Sequence, residues 1–227
     1  AGGHSNLPYK VVDHVGSVFV LRRPPLGHVL ATAHDMAREH RIVTAVGTTD
    51  VPVPPTLGVC ENVEINGAPF YVMGYVAGAV LHSDAEAKLV PLAERMTLSR
   101  QVAEVLAKLH SVEPDNIGLG DLAKREDYLG RQLRRWSRQW EQSKTRELST
   151  MEHVQGLLER KKPAQVGSTI VHGDYRLGNM LTGSNEILAV LDWELCTLGD
   201  PLADVGYLLN NWVDPDEVPA GSSAPTL

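Results

Sequence analysis

Two apolar runs, Met180-Leu181-Thr182 and Ile187-Leu188-Ala189-Val190-Leu191, flank Gly183-Ser184-Asn185, residue types that turn a chain at little steric cost. Apolar strands joined by so short a turn pair antiparallel, so residue 192 returns beside residue 179. This return constrains the chain more than any other feature, because polar side chains crowd both of its ends. His172, Asp174 and Asn179 precede the hairpin, and Asp192 and Glu194 follow it. A further apolar run, Thr169-Ile170-Val171, leads into the first group, so groups able to handle protons or metals sit at strand ends.

That grouping suits phosphoryl transfer, which is mostly positioning and charge neutralisation. Magnesium bridges phosphate oxygens while a carboxylate orients the attacking hydroxyl and takes its proton. Mg2+ prefers oxygen ligands, and Asn and Asp supply them. Protein kinases separate their base and metal-binding Asn as Asp-x-x-x-x-Asn, and Asp174 to Asn179 repeats that interval. Asp192 then corresponds to the second metal ligand. Trp193-Glu194 stands where a protein kinase has Phe-Gly, and no Ala-Pro-Glu segment follows, which argues against a protein-substrate loop.

Upstream, Tyr9-Lys10-Val11-Val12 and Val18-Phe19-Val20-Leu21 are β-prone runs around a turn at His14-Val15-Gly16 and predict a hairpin. From His28 to about Val46 the apolar spacing becomes helical, and Val51-Pro52-Val53-Pro54-Pro55 is expected to end that helix. A strand at Phe70-Tyr71-Val72-Met73 runs into Gly74-Tyr75-Val76-Ala77-Gly78, where two glycines predict a connection between lobes. The expected division is residues 1–76 and 77–227. Helices dominate beyond it. Leu98, Val102, Val105, Leu106 and Leu109 share one face, with Thr97 or Ser99 as candidate cap. Leu129, Leu133, Trp136 and Trp140 share another, read as a packed stripe beside a solvated basic face.

A net charge of -7, from 28 acidic and 21 basic residues, offers no general attraction for nucleic acid. No apolar run approaches a membrane span and the first residues lack a secretory signal, so a cytoplasmic protein is expected, with no membrane partner. Cys60 and Cys196 form no Cys-x-x-Cys pair and read as buried reduced thiols. His34 and His40, six apart, do not match a zinc pair and read as solvated.

The combination His-Gly-Asp-x-x-x-x-Asn, then Leu-Asp-Trp-Glu, then Leu198-Gly199-Asp200-Pro201-Leu202-Ala203-Asp204 resembles the aminoglycoside phosphotransferase and choline kinase family. The resemblance implies an α+β, bilobal, protein-kinase-like fold: a small N-terminal β-sheet lobe with one helix that binds nucleotide, and a larger, mainly helical catalytic lobe. It implies ATP and Mg2+ as cofactors and a small-molecule hydroxyl as acceptor, with a homodimer allowed. Asp174 is the implied catalytic base, Asn179 and Asp192 the Mg2+ ligands, and His172 the support of the catalytic loop. Asp200 and Asp204 look structural.

Val20-Leu21-Arg22-Arg23 resembles the strand that usually ends in a phosphate-holding lysine, here Arg22, with Glu39 as its helical partner. An arginine fork is not chemically equivalent to an ammonium. Gly2-Gly3-His4-Ser5-Asn6 would supply a turn over the phosphates, placing Ser5 and Asn6 there, and the backbone of Gly74 and Val76 would meet adenine. Many relatives carry an acid where Gly74 stands. Phe19 to Pro25 and Val171 to Asn179 look most like the branch sometimes fused to acyl-CoA dehydrogenases, making a hydroxylated acid or acyl thioester a candidate acceptor. The family usually continues with helices that close the acceptor site, so the chain is read as truncated, incomplete or reduced in that lobe. Two alternatives stand beside this reading: a catalytically weak homologue that binds nucleotide or a partner, and a metal-dependent phosphohydrolase.

Overall fold

The computed structural model describes residues 6–25 and 35–212. Strands β1 (Leu7–Val12) and β2 (Val18–Arg23) form the expected antiparallel hairpin, in register from Leu7 opposite Arg23 to Val12 opposite Val18. Its turn closes on Asp13, whose carboxylate accepts the amides of Val15 and Ser17 at 2.9 and 2.8 Å. Helix α1 (Met36–Val46) begins at Asp35, whose side chain caps the amide of Arg38. The part of the predicted helix that begins at His28 lies outside the described residues up to position 34. At its other end α1 stops at Val46 and Gly47, before the proline-rich stretch. The prolines therefore shape the following segment and do not terminate the helix.

After them comes a strand that the sequence pattern did not suggest, β3 (Thr56–Cys60), then the short helix α2 (Val63–Asn66) and strand β4 (Phe70–Gly74). The sheet order is β1-β2-β4-β3, all antiparallel. Met36 at the head of α1 packs with Tyr71 and Met73 of the sheet, whereas Ile42, Val43 and Val46 join the main core of the helical part. One helix thus ties the two halves together.

The remainder is mainly helical. Strand β5 (Ala79–Val80) and helix α3 (Asp84–Ala87) lead to helix α4 (Leu92–Ser111), which buries Leu98, Val102, Val105, Leu106 and Leu109 as its periodicity required. Pro91 occupies its N-cap position, so Thr97 and Ser99 lie inside the helix and cap nothing. Helices α5 (Tyr128–Ser143) and α6 (Ser149–Lys161) form a hairpin on the outside. Here the expected packed stripe is corrected: only Tyr128 and Gly130 of α5 are buried, and Trp136 is 51% exposed.

Strand β6 (Thr169–Val171) enters the loop of interest, and β7 (Met180–Thr182) and β8 (Ile187–Val190) form the hairpin predicted from the Gly-Ser-Asn turn. Strand β9 (Thr197–Gly199) pairs with β6, and helix α7 (Leu202–Asn211) follows. Cys196 is buried and Cys60 only partly so, correcting the expectation for the latter; both thiols are free. His40 is partly buried and meets the Tyr71 ring edge-on at 5.9 Å, rather than being solvated, while His34 lies outside the described residues.

Candidate active site

The loop between β6 and β7 is shaped by a carboxylate from α7. Asp204, fully buried, accepts the backbone amides of His172 and Gly173 at 2.8 Å each, and its Oδ2 also lies 3.1 Å from the His110 ring. Gly173 has φ of 87°, and a Cβ there would lie 3.0 Å from Leu195 Cβ and its carbonyl oxygen, so this turn requires glycine. The family motif's glycine and this aspartate are thus parts of one device.

His172 is fully buried. Its Nδ1 accepts the Asp174 amide at 3.2 Å and its Nε2 donates to the Leu191 carbonyl at 3.0 Å, which assigns the Nε2-H tautomer of a neutral ring. Burial holds its pKa below the ordinary histidine value. The ring packs edge-on against Trp193 at 4.7 Å. His172 therefore clamps the loop to the end of β8, with both nitrogens engaged inside the protein.

Asp174 is held at both oxygens. Asn179 Nδ2 donates to Oδ2 at 2.6 Å and to the backbone carbonyl at 2.9 Å, and Arg176 Nε donates to Oδ1 at 3.2 Å. With its amide nitrogen spent on Asp174, Asn179 presents its amide oxygen. The Leu191 amide donates to the Asn179 carbonyl at 2.8 Å, which sets Asp192 beside the loop as the hairpin predicted. Asp192 takes up a left-handed backbone conformation, φ 66°, tolerated by Asp better than by most residues.

Arg22, on β2, reaches across to this carboxylate, with Nη2 2.5 Å from Asp192 Oδ1. Its Nε lies 2.8 Å from Glu39 Oε1 but off the N–H direction, so that contact is ionic rather than a hydrogen bond. Burial pulls the Arg22 pKa down, yet the facing carboxylates outweigh it and hold the guanidinium above its ordinary value. Burial pushes the Glu39 carboxyl up, with Arg22 only partly offsetting it. Glu39 also receives Tyr71 Oη at 3.2 Å and Asn6 Nδ2 at 3.2 Å. The same Asn6 nitrogen donates to Glu194 Oε2 at 3.1 Å. Asn6 is thus a buried clamp on two carboxylates, while Ser5 lies outside the described residues.

Between the sheet and the β7–β8 hairpin lies a cavity of about 250 Å3, lined by Val20, Arg22, Gly74, Val76, Leu181 and Asp192 among others. The Gly74 amide is already used, donating to the Pro55 carbonyl at 2.8 Å, and a Cβ at 74 would lie 2.9 Å from the Pro55 ring. Glycine here permits the close approach of that proline. A larger cavity, about 650 Å3, opens on the other side of the Asp192–Cys196 turn, lined by Arg38, Gln132, Arg135, Trp136, Gly173 and Glu194 among others. Among the described residues no group of three or more His, Cys, Asp or Glu side chains could hold a metal by itself. Asn179 and Asp192 instead offer the sparse oxygen donors typical of Mg2+ held jointly with phosphates, and so fit that ion.

The chain belongs to the phosphotransferase enzyme family (APH), whose profile matches residues 1–222. The fold is accordingly kinase-like. Acyl-CoA dehydrogenase family member 10 of Mus musculus is 39% identical over 207 residues, 90% of this chain and 19% of that protein. Family member 11 of Gallus gallus is 36% identical over 210 residues, 91% of this chain and 27% of that one. The chain therefore spans between 19% and 27% of the length of these relatives. A crystal structure from Ralstonia eutropha, described as a candidate aminoglycoside phosphotransferase, superposes with a TM-score of 0.79 at 35% identity, covering 95% of this chain and 64% of that one. The streptomycin–ATP complex of APH(2″)-IIa shares the fold, with a TM-score of 0.64 at 18% identity over 93% of this chain and 73% of its own.

Two residues at the site escaped the sequence reading. Tyr71 lies inside the predicted strand, where nothing marks its hydroxyl as a partner of Glu39. Arg176 stands inside the His-Gly-Asp motif segment, two residues after Asp174, and its position was the only available signal.

Proposed function

We propose that the chain is an ATP-dependent phosphotransferase that moves the γ-phosphate to a hydroxyl of a small molecule, working as a cytoplasmic protein. The observation that carries this reading is the convergence of Asp174, Asn179 and Asp192 around one loop and hairpin, joined by the Asn179–Asp174 side-chain bond of 2.6 Å and the Leu191–Asn179 backbone bond of 2.8 Å. In this reading residues 1–76 form the nucleotide-binding lobe and residues 77–227 the catalytic lobe. Adenine enters the smaller cavity near Gly74 and Val76, with Arg22, Glu39 and the Ser5–Asn6 segment ordering the phosphate end.

Asp174 orients the acceptor hydroxyl and accepts its proton. The γ-phosphorus then gains a bond to the acceptor oxygen while its bond to the ADP oxygen breaks. Asn179 and Asp192 would hold Mg2+, which supplies neutralisation of phosphate charge when bound. His172 keeps the loop in place and does not move a proton, since both its nitrogens serve the backbone. The acceptor enters by the larger cavity, and an aminoglycoside-, choline- or hydroxyacyl-like alcohol are the classes to compare. The test is incubation with ATP and Mg2+ against such a panel, scored by the mass gain of one phosphate. No gain with any acceptor, together with no ADP release above background, would overturn turnover.

A second reading has one observation in its favour. Arg22 already occupies Asp192, at 2.5 Å, so a homologue that binds nucleotide without turnover is consistent with a metal ligand engaged by protein. Nucleotide binding without ADP formation would select it.

A further inference from the structure

Arg22 has Nε and Nη2 committed to Glu39 and Asp192, which leaves its charge largely balanced within the protein. Arg176 is placed differently. Only its Nε is engaged, on the Oδ1 of Asp174 at 3.2 Å, and the side chain is 36% exposed. Its two terminal nitrogens have no hydrogen-bond partner among the described residues. The guanidinium lies over Gly178, where a Cβ would come 2.3 Å from Nη1. Gly178 is buried inside the loop and its backbone is not left-handed, so turn geometry does not require glycine there.

We propose that Arg176 is a further functional residue of the phosphotransfer site: it steers the Asp174 carboxylate through Nε and offers its terminal N–H groups to the phosphoryl group in transfer. The inference rests on the phosphotransferase reading above. A cation beside a general base does not make that base stronger, so basicity is not what Arg176 provides. It supplies charge where three equatorial oxygens carry it in the transition state, the task that arginine performs in other phosphoryl-transfer sites. Its planar fork reaches a carboxylate and a phosphoryl oxygen together, as a single ammonium does less well.

Calorimetric titrations with MgADP alone and with MgADP plus aluminium fluoride, a mimic of the phosphoryl group in flight, separate this role from a structural one. Wild type should gain affinity when aluminium fluoride is added. Arg176→Ala should keep MgADP affinity within about two-fold but lose on the order of 10² of that gain, the usual loss for one oriented transition-state donor. Arg176→Lys should recover part of it. The melting temperature of both variants should stay near wild type. Retention of the full gain in Arg176→Ala would overturn the inference, as would equal losses for MgADP with and without aluminium fluoride. Wild type binding MgADP but gaining nothing from aluminium fluoride would overturn it while leaving nucleotide binding intact. Failure of wild type to bind MgADP would overturn the phosphotransferase reading together with this one.

Discussion

Helices α1 and α5 are both amphipathic, and they use amphipathicity in opposite ways. On α1 an ionisable residue is turned inward: Glu39 is 2% exposed, faces Arg22 and takes bonds from Tyr71 and Asn6. On α5 large apolar residues are left outward, with Trp136 half exposed along a groove against Met151, Val154 and Leu158 of α6. The arginines of α5 meet partners at the surface, as Arg134 does with Asp127 at 2.9 Å, where screening leaves an ion pair little net value. Charge in the first helix is structural because water is excluded around it. Charge in the second is largely solvated.

Substitutions on each side should keep that contrast or erase it. The largest effect is expected at the functional end of the buried network: Asp174→Asn should lower phosphoryl transfer about 10² to 10⁴-fold, the usual contribution of a positioned base, while the melting temperature stays near wild type. Glu39→Ala should cost about 3–5 kcal/mol in urea unfolding, because Arg22 would be left in the interior with one carboxylate fewer. A loss below 1 kcal/mol would mean that water reaches the pair and that the two helices differ less than their burial indicates.

The next effect is pH-dependent. Burial lowers the pKa of His172 in the folded state, so the unfolded chain binds the extra proton more readily. Stability is therefore full above the ordinary histidine value of about 6.5 and declines as pH falls through it, by at most about 1.4 kcal/mol per pH unit. Urea midpoints at neutral and mildly acidic pH measure that slope, and His172→Gln should flatten it. The smallest change is expected on α5, where Trp136→Ser should alter stability by no more than about 0.5 kcal/mol. A loss several times larger would show that the groove is a packed layer after all.

What the sequence revealed follows the same divide. The β7–β8 hairpin was legible because Gly183-Ser184-Asn185 is a local instruction, and the Asp174–Asn179 interval because a loop of that length is nearly self-contained. The Arg22–Glu39 pair was legible only through the family's pattern, as 17 positions separate the two residues and no local rule joins them. Strand β3 was missed since Thr56–Cys60 contains a glycine and follows prolines; it exists because β4 offers it a pairing edge. The α5 stripe misled because periodicity says which residues share a face and nothing about what covers that face. The start of α4 misled for a related reason: a good capping residue caps only where the helix happens to begin.

Asp204 joins matters that a reader of the motif would keep apart. One carboxylate on α7 grips two consecutive amides of the segment that leads into Asp174, and α7 also forms a wall of the larger cavity through Ala203 and Tyr207. The loop that leads to Asp174 and this cavity wall are therefore fastened to one and the same helix, so loss of the Asp204 carboxylate would strand two amides and loosen both neighbours together.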